Sequence, residues 1–447
     1  MSTIQQSKDQ IIWSGTQRAL FRVAFIFFLL LTIPLDPQYY ERLFSINWFH
    51  LHFQDLFSIT NYAPALVHIS KWGIASYAGW GIALLIALAG SAVWGLLEKT
   101  KAVSYEQLYY WLRVILRFRL AIGLIGYGVI KLFPVQIPYP TLSDLHTAYG
   151  DFLPWKIYYL STGAASAGYE QTLGAIEILA GLLLFYRRTT IVGTSIAAAF
   201  LINIVLANFA YQLGEHVYSL YLLITAAFLI AYDTPRLYNL LVKEGLAKAD
   251  QFKLVLKFKY IEQTRYTIKI LLLFFVIFYA SLTYASYKKS KWPYPDTAGL
   301  PNAYGIYNVR EFKLNHTELP YSATDSIRWQ NVVFEKWNVI SIKVNRNIPI
   351  DLSGPQVDYQ PDSLRSYESQ GNGGRIFYSY TVKDSTVRLA NTNIAADIAT
   401  FTISRPDKST IILQGVDSRK DSLYVVLDKQ NKKYLLDKGR RNPVTIY

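Results

Sequence analysis

The stretch GAIEILAGLLLFYRR, Gly174 to Arg188, decides how the chain is read, because it sets an ionisable glutamate inside a run apolar enough to cross a membrane. Glu177 has Gly174 three residues before it and Gly181 four after it, so a helix puts its carboxyl on a stripe of small residues. Such a stripe lets a second helix approach closely and therefore faces protein, not lipid. A carboxylate near mid-membrane costs roughly 2.5–3.5 kcal/mol on insertion scales, so it is kept either for function or for a buried structural pair.

Apolar runs of spanning length recur on both sides of this stretch. The pattern predicts seven spans, at about 20–35, 77–97, 114–133, 169–186, 190–211, 216–232 and 268–286. The YRRTT connection between the fourth and fifth is too short for anything but an antiparallel hairpin. Between the first two spans, Trp48, Phe49, Phe53, Phe57 and Trp72 lie in a segment broken by Pro and polar residues, which suits the membrane interface. The stretch from Asp233 to Thr267 is a basic linker whose FKLVLKFKYI run reads as a membrane-surface element. Beyond the seventh span the composition changes. VISIKVN (Val339 to Asn345), RIFYSYTV (Arg375 to Val382), TFTIS (Thr400 to Ser404), TIILQGV (Thr410 to Val416) and DSLYVVLDK (Asp421 to Lys429) alternate as short strands with turn residues between them. The expected fold is thus a polytopic α-helical membrane protein followed by a soluble all-β domain, a small barrel or sandwich. Its divisions are 1–107, a four-helix core at 108–233, a linker and last span at 234–286, and the β domain at 287–447.

Composition agrees: 52% of the 447 residues are hydrophobic and 17% charged. With no cysteine, disulfides, thiolate metal sites and a cysteine nucleophile are excluded, so any redox role needs a bound cofactor. The net charge of +14 sits beside the apolar runs, where topology and anionic lipid account for it, and no nucleic-acid recognition motif accompanies it. His50, His52 and His68 do not combine with carboxylates at ligand spacing, so no metal site is expected. Counting basic residues in short loops puts the N-terminus, Lys99, Lys101, Arg187, Arg188 and the linker in the cytoplasm and the β domain outside it; Lys288, Lys289 and Lys291 run against that orientation.

At about 1.5 Å rise per residue, Glu177 and Asn203 lie level, about 12 Å inward from the outer ends of their spans. Lys131, Asn208 and His216 form a second polar layer nearer the outer end. These residues suggest an outward-opening cavity floored by Glu177 and Asn203, with Tyr127 a candidate contact. Each also has a structural reading: Lys131 and His216 are close enough to the interface to reach headgroups, and Arg117 and Arg119 are expected to meet headgroups at the inner end.

The segments RLAIGLIGYGVIKLFP (Arg119 to Pro134) and YEQTLGAIEILAGLLLFYRRTTIVG (Tyr169 to Gly193) resemble the DoxX-like membrane proteins. The matching positions are Gly128, Lys131, Leu132, Glu177, Gly181 and Arg188, and the resemblance spans about Leu108 to Asp233. It implies a four-helix core in a bacterial inner membrane, with the β domain periplasmic and a quinone-linked or redox-related role. In that reading Glu177 exchanges a proton, Lys131 holds the head of a quinone, isoprenoid or other lipid-like ligand, and Asn203 hydrogen-bonds the same group. The pattern is also similar, more distantly, to the membrane domain of vitamin K-dependent carboxylase-like proteins, where Lys131 would be the base; the histidine expected there is replaced by Asn203 and Asn208. The contrasting expectation is a non-enzymatic envelope protein whose β domain binds a protein partner. No complete catalytic constellation decides between enzyme and binding protein.

Overall fold

The computed structural model describes residues 13–64, 66–67, 72–98, 104–246 and 261–438. His68, Lys99, Lys101 and the FKLVLKFKYI run up to Tyr260 lie outside them. In chain order the helices are α1 (Gly15–Thr32), α2 (Pro37–Ser45), α3 (Phe53–Thr60), α4 (Ala78–Leu97), α5 (Tyr105–Leu132), α6 (Leu142–Leu145), α7 (Pro154–Ala165), α8 (Ala167–Leu184), α9 (Thr190–Tyr211), α10 (His216–Leu241), α11 (Ile261–Lys289) and α12 (Leu435–Lys438). The chain divides into two compact units. One comprises Met1–Val129, Gly174–Ala210 and Gly214–Leu282; the other comprises Ile130–Leu173, Tyr211–Leu213 and Thr283–Tyr447.

In the first, helical unit, α1, α4, α9, α10 and α11 are long and apolar enough to cross a membrane. α5 and α8 are the same kind of length, but they carry Arg113, Arg117, Arg119 and Lys131, or Glu170 and Glu177. α5 tolerates its charges because protein, not lipid, surrounds it: Leu112, Leu116 and Leu120, one turn apart, are fully buried and Leu124 nearly so. α4 and α11 instead leave Leu85, Leu271 and Phe274 exposed, as lipid-facing helices do. The small-residue stripe around Glu177 packs as its spacing predicts. A Cβ on Gly128 would lie 2.9 Å from the Gly174 carbonyl, and one on Gly181 3.0 Å from the Ala121 carbonyl, so α5 and α8 meet almost backbone to backbone.

The segment read as interfacial divides in two. α3 is not at an interface: Phe53, Leu56, Phe57 and Thr60 are buried, and Gly126 of α5 accommodates the Thr60 hydroxyl where a Cβ would collide with it. Its alternating aromatics gave the interfacial appearance, but a short helix with one apolar face also suits a site among other helices. α10 continues to Leu241, so the first turns of the predicted linker are helical.

The second unit is built on nine strands: β1 (Gly305–Leu314), β2 (Thr317–Glu318), β3 (Asn331–Phe334), β4 (Val339–Lys343), β5 (Ile376–Lys383), β6 (Thr386–Asn391), β7 (Ile398–Ser404), β8 (Thr410–Val416) and β9 (Ser422–Lys429). Each of β3 to β9 pairs antiparallel with its neighbour, β1 pairs with both β3 and β9, and β2 only extends β1. The result is a closed eight-stranded meander barrel, which resolves the choice between barrel and sandwich. Inward residues at period two fill it, among them Tyr307, Phe312, Phe334, Ile342, Leu389, Phe401 and Leu427. A residual apolar space lined by Leu300, Phe334, Tyr380 and Leu413 amounts to about 10 Å³, room for roughly one water.

β7 alternates buried and exposed residues, whereas β3 and β4 are buried along almost their whole length. Their outer face is covered as well. Val339 and Phe377 pack with Ile137, Trp155, Tyr159, Tyr294 and Tyr367, and Val333 packs with Leu142. The segment of residues 130–173, which the sequence assigns to the helical core, therefore folds onto the barrel wall.

If the α5–α8 contact depends on glycine, Gly128→Leu or Gly181→Leu should lower the stability of the detergent-solubilised protein by about 1–3 kcal/mol through overpacking. Gly81→Leu, whose side chain would enter open space, should leave the melting temperature within a degree or two of wild type.

Candidate functional site

Arg119 sits midway along α5 and is only half-buried. Its Nη1 donates to the Thr60 carbonyl at 3.0 Å and to the Tyr218 hydroxyl at 3.3 Å, and its Nη2 donates to the Tyr62 carbonyl. Thr60 is the last residue of α3, where unpaired acceptors and the negative end of the helix dipole gather, and Tyr62 lies just past the Asn61 cap. The rings of Tyr62, Tyr218 and Tyr221 stand 5.3–5.7 Å from the guanidinium carbon. Further hydroxyl contacts extend the group: Tyr221 meets Thr32 Oγ1 at 2.9 Å, and Tyr62 donates to the Ile33 carbonyl at 3.2 Å. Arg119 is therefore not at the inner end among headgroups but turned into the bundle. Arg119 lies midway because α5 begins at Tyr105, ahead of the start near 114 that the apolar run predicts.

The residues singled out from sequence scatter around this centre. Glu177 is buried, 2% exposed, on the α8 face that meets α5. Tyr127 stands edge-on to Phe57, with ring centroids 5.2 Å apart. Asn208 is consumed locally: its amide donates to the Ile204 carbonyl and its carbonyl accepts from the Glu215 N–H, both at 2.9 Å, bridging the α9–α10 turn. His216 stacks on Trp72 and reaches Ser76 Oγ at 2.9 Å. Asn203 does not floor a cavity, because it is exposed. The buried face of α9 runs through Ala197, Leu201, Val205 and Asn208, and a residue two positions from Leu201 and two from Val205 points the other way. Lys131 is half-buried and acts electrostatically on Glu170, a buried carboxylate that the sequence reading passed over.

The barrel unit contains a second polar centre, on the covered outer face of β3 to β5. Ser143 donates to Glu335 Oε1 through its N–H (2.7 Å) and its hydroxyl (2.6 Å). With that proton committed, the 2.7 Å contact between Ser143 and Ser341 has Ser341 as donor, and Ser341 in turn accepts from Arg375 Nε at 2.7 Å. Two hydroxyls thus relay hydrogen bonds from a buried guanidinium to a buried carboxyl. Beside them, Lys156 Nζ donates to the Tyr367 carbonyl at 3.0 Å and lies 3.9 Å from Asp144, while Trp337 donates its indole N–H to Glu368. These charged side chains are 5% exposed or less.

Burial controls their protonation. It raises Glu335 to about 7, against the opposing Ser143 hydrogen bonds, and raises Glu368 to about 8. It lowers Arg375 to about 9 and also lowers Lys156, which Asp144 and Glu368 partly offset. His146, whose carbonyl accepts from Arg375, is lowered to about 4 by burial and by the charges of Lys432, Arg375 and Lys343.

The fold and these two centres define an integral membrane protein with a helical unit of apolar spans and a closed β-barrel domain braced by its own inter-helical loop. No family model, curated protein or solved structure matches the chain.

A carboxyl whose pKa is higher folded than unfolded costs stability as pH climbs from the ordinary 4.5, and the loss is complete once the folded pKa is passed, at about 7 for Glu335 and 8 for Glu368. Lys156 works with the opposite sign, so the informative quantity is a difference. Glu335→Gln should match wild type near pH 5 and become the more stable form by pH 8 in thermal melts; a difference independent of pH would refute the assignment. Lys156→Met, which removes the buried cation and leaves Asp144 uncompensated, should cost about 3–5 kcal/mol in a urea titration of the intact protein.

Proposed function

We propose that the helical unit holds the polar head of a lipid-like molecule, a quinone or an isoprenoid carbonyl compound being the best chemical match, and that the protein serves a redox-related role in a bacterial inner membrane. The observation that carries this reading is Arg119, a half-buried guanidinium midway along α5 of the helical unit with the Tyr218 hydroxyl beside it. A carbonyl or anionic head suits such donors, and an intramembrane charge is costly enough to imply use. Glu177, buried on α8, is the carboxyl able to exchange the proton that quinone reduction requires. The resemblance of Leu108 to Asp233 to DoxX-like proteins supports the same assignment, with the N-terminus cytoplasmic and the barrel periplasmic.

A second reading, an envelope protein that binds a partner through its β domain, is favoured by one feature. The barrel interior is filled, while the long β4–β5 connection exposes Leu352 and Leu364, 75% and 66% accessible.

Mass spectrometry of the organic extract from purified protein separates the two. A stoichiometric quinone or isoprenoid is expected in wild type. Tyr218→Phe, which removes one hydroxyl, should lower its occupancy, and Arg119→Lys, which keeps the charge but loses the guanidinium fork, should lower it by tenfold or more. Absence of any specific ligand from a well-folded wild type would end the first reading and leave the β-domain reading in its place.

A further inference from the structure

Between α1 and α3 the chain makes an excursion whose aromatic side no described residue of the helical unit covers. α2 has no buried residue, and the exposed aromatics run from Tyr40 through Phe44 (82% exposed) and Trp48 (56%) to Phe49 (95%). Tyr40 and Phe44 are one helical turn apart and share a side of α2, and Trp48 and Phe49 follow in the turn beyond it. The opposite side is pinned. Tyr39 stands against the Tyr62 ring, with centroids 5.3 Å apart, and its hydroxyl reaches the Ile59 carbonyl at 3.5 Å; Asp36 caps the helix by accepting from the Gln38 N–H at 3.0 Å. The aromatic side is therefore held outward by a fixed helix.

We propose that α2 and the turn through Phe49 form an interfacial anchor, inserted among the lipids of the leaflet at the C-terminal end of α1. The occupant follows from continuity. α1 and α2 lie in one apolar stretch, Gly15–Ser45, and beyond the end of α1 its exposed apolar positions are Ile33 and Leu35, 47% and 44% exposed, followed by Tyr40 and Phe44. Lipid that covers the first covers the second. Trp, Tyr and Phe rings favour the headgroup boundary, and the exposed Arg42 on the same short helix suits phosphate at that depth. An apolar patch of this kind facing water would be an aggregation hazard instead.

The chain has no cysteine, so a single introduced thiol is labelled uniquely. Phe49→Cys and, independently, Phe44→Cys would be nitroxide-labelled in the full chain and reconstituted into phosphatidylethanolamine–phosphatidylglycerol vesicles. Power-saturation EPR then compares collisions with oxygen and with a water-soluble nickel chelate. Leu85→Cys on the exposed face of α4 is the lipid reference, and Asp384→Cys in the β5–β6 turn the aqueous one. The anchor predicts nickel collisions several-fold fewer than at position 384, with oxygen collisions approaching those at position 85. Nickel access equal to that at 384 from both labels overturns it. So does dipolar broadening between labels that vanishes on dilution with unlabelled protein, because a second copy would then be the cover.

Discussion

A guanidinium inside a helix bundle cannot be left to water, and the helical unit is arranged around that constraint. Arg119 needs acceptors at its own depth, where α5 offers none, because its backbone carbonyls are already committed to the helix. The end of α3 and the residues just past it supply them, with the Thr60 and Tyr62 carbonyls turned to the guanidinium. The rest follows from bringing that helix end close. Gly126 must lack a side chain to receive Thr60, and Tyr62, Tyr218 and Tyr221 close around the charge with rings that give cation–π attraction without a second ion. The apolar faces that remain on the outer helices are then free to meet lipid.

The barrel unit meets the same constraint with opposite chemistry. Its covered wall holds Asp144, Glu335 and Glu368 against Lys156 and Arg375, so carboxyls outnumber cations and at least one is best kept protonated. Hydroxyls distribute the hydrogen bonds, with Ser143 and Ser341 linking Arg375 to Glu335. Replacing water by this set fixes the loop of residues 130–173 on the β3–β5 face at a cost in pH sensitivity. A loop read from sequence as part of the membrane core is in this way a wall of the β domain.

Much of the fold was legible. Five of the seven apolar runs marked spans, α1, α4, α9, α10 and α11; the Gly174–Glu177–Gly181 spacing marked a close helix contact, which α5 makes; and the alternating stretches marked β4, β5 and β7 to β9. What failed was azimuth. Depth along a helix placed Asn203 level with Glu177, but depth does not specify a direction around the axis, and the buried positions of α9 exclude position 203. Arg119 was misplaced because a span starting near 114 put it close to the inner end, whereas α5 begins at Tyr105, and the acceptors that draw it inward lie about sixty residues earlier in the chain, in a segment whose aromatics looked interfacial. The buried ions of the barrel unit were illegible because the contacts that join them cross between distant segments, as with Ser143 and Glu335 or Lys156 and Tyr367.

Closure of the barrel by β1 against β9 also sets the order of events during biosynthesis. β1 is made first and exposes a long unpaired edge from Val309 to Leu314 until its last partner, Leu423 to Leu427, has emerged. Loop-closure entropy delays that pairing further, since the strands that meet are the most distant in the sheet. The growing chain therefore carries a sticky edge through most of the domain's synthesis, and the short β2 gives it no cover, because Lys313 and Leu314 pair with β2 on one edge of β1 and with β9 on the other. A holding factor that shields extended segments, or rapid delivery of the whole domain to the compartment where it folds, is the requirement this topology places on the cell.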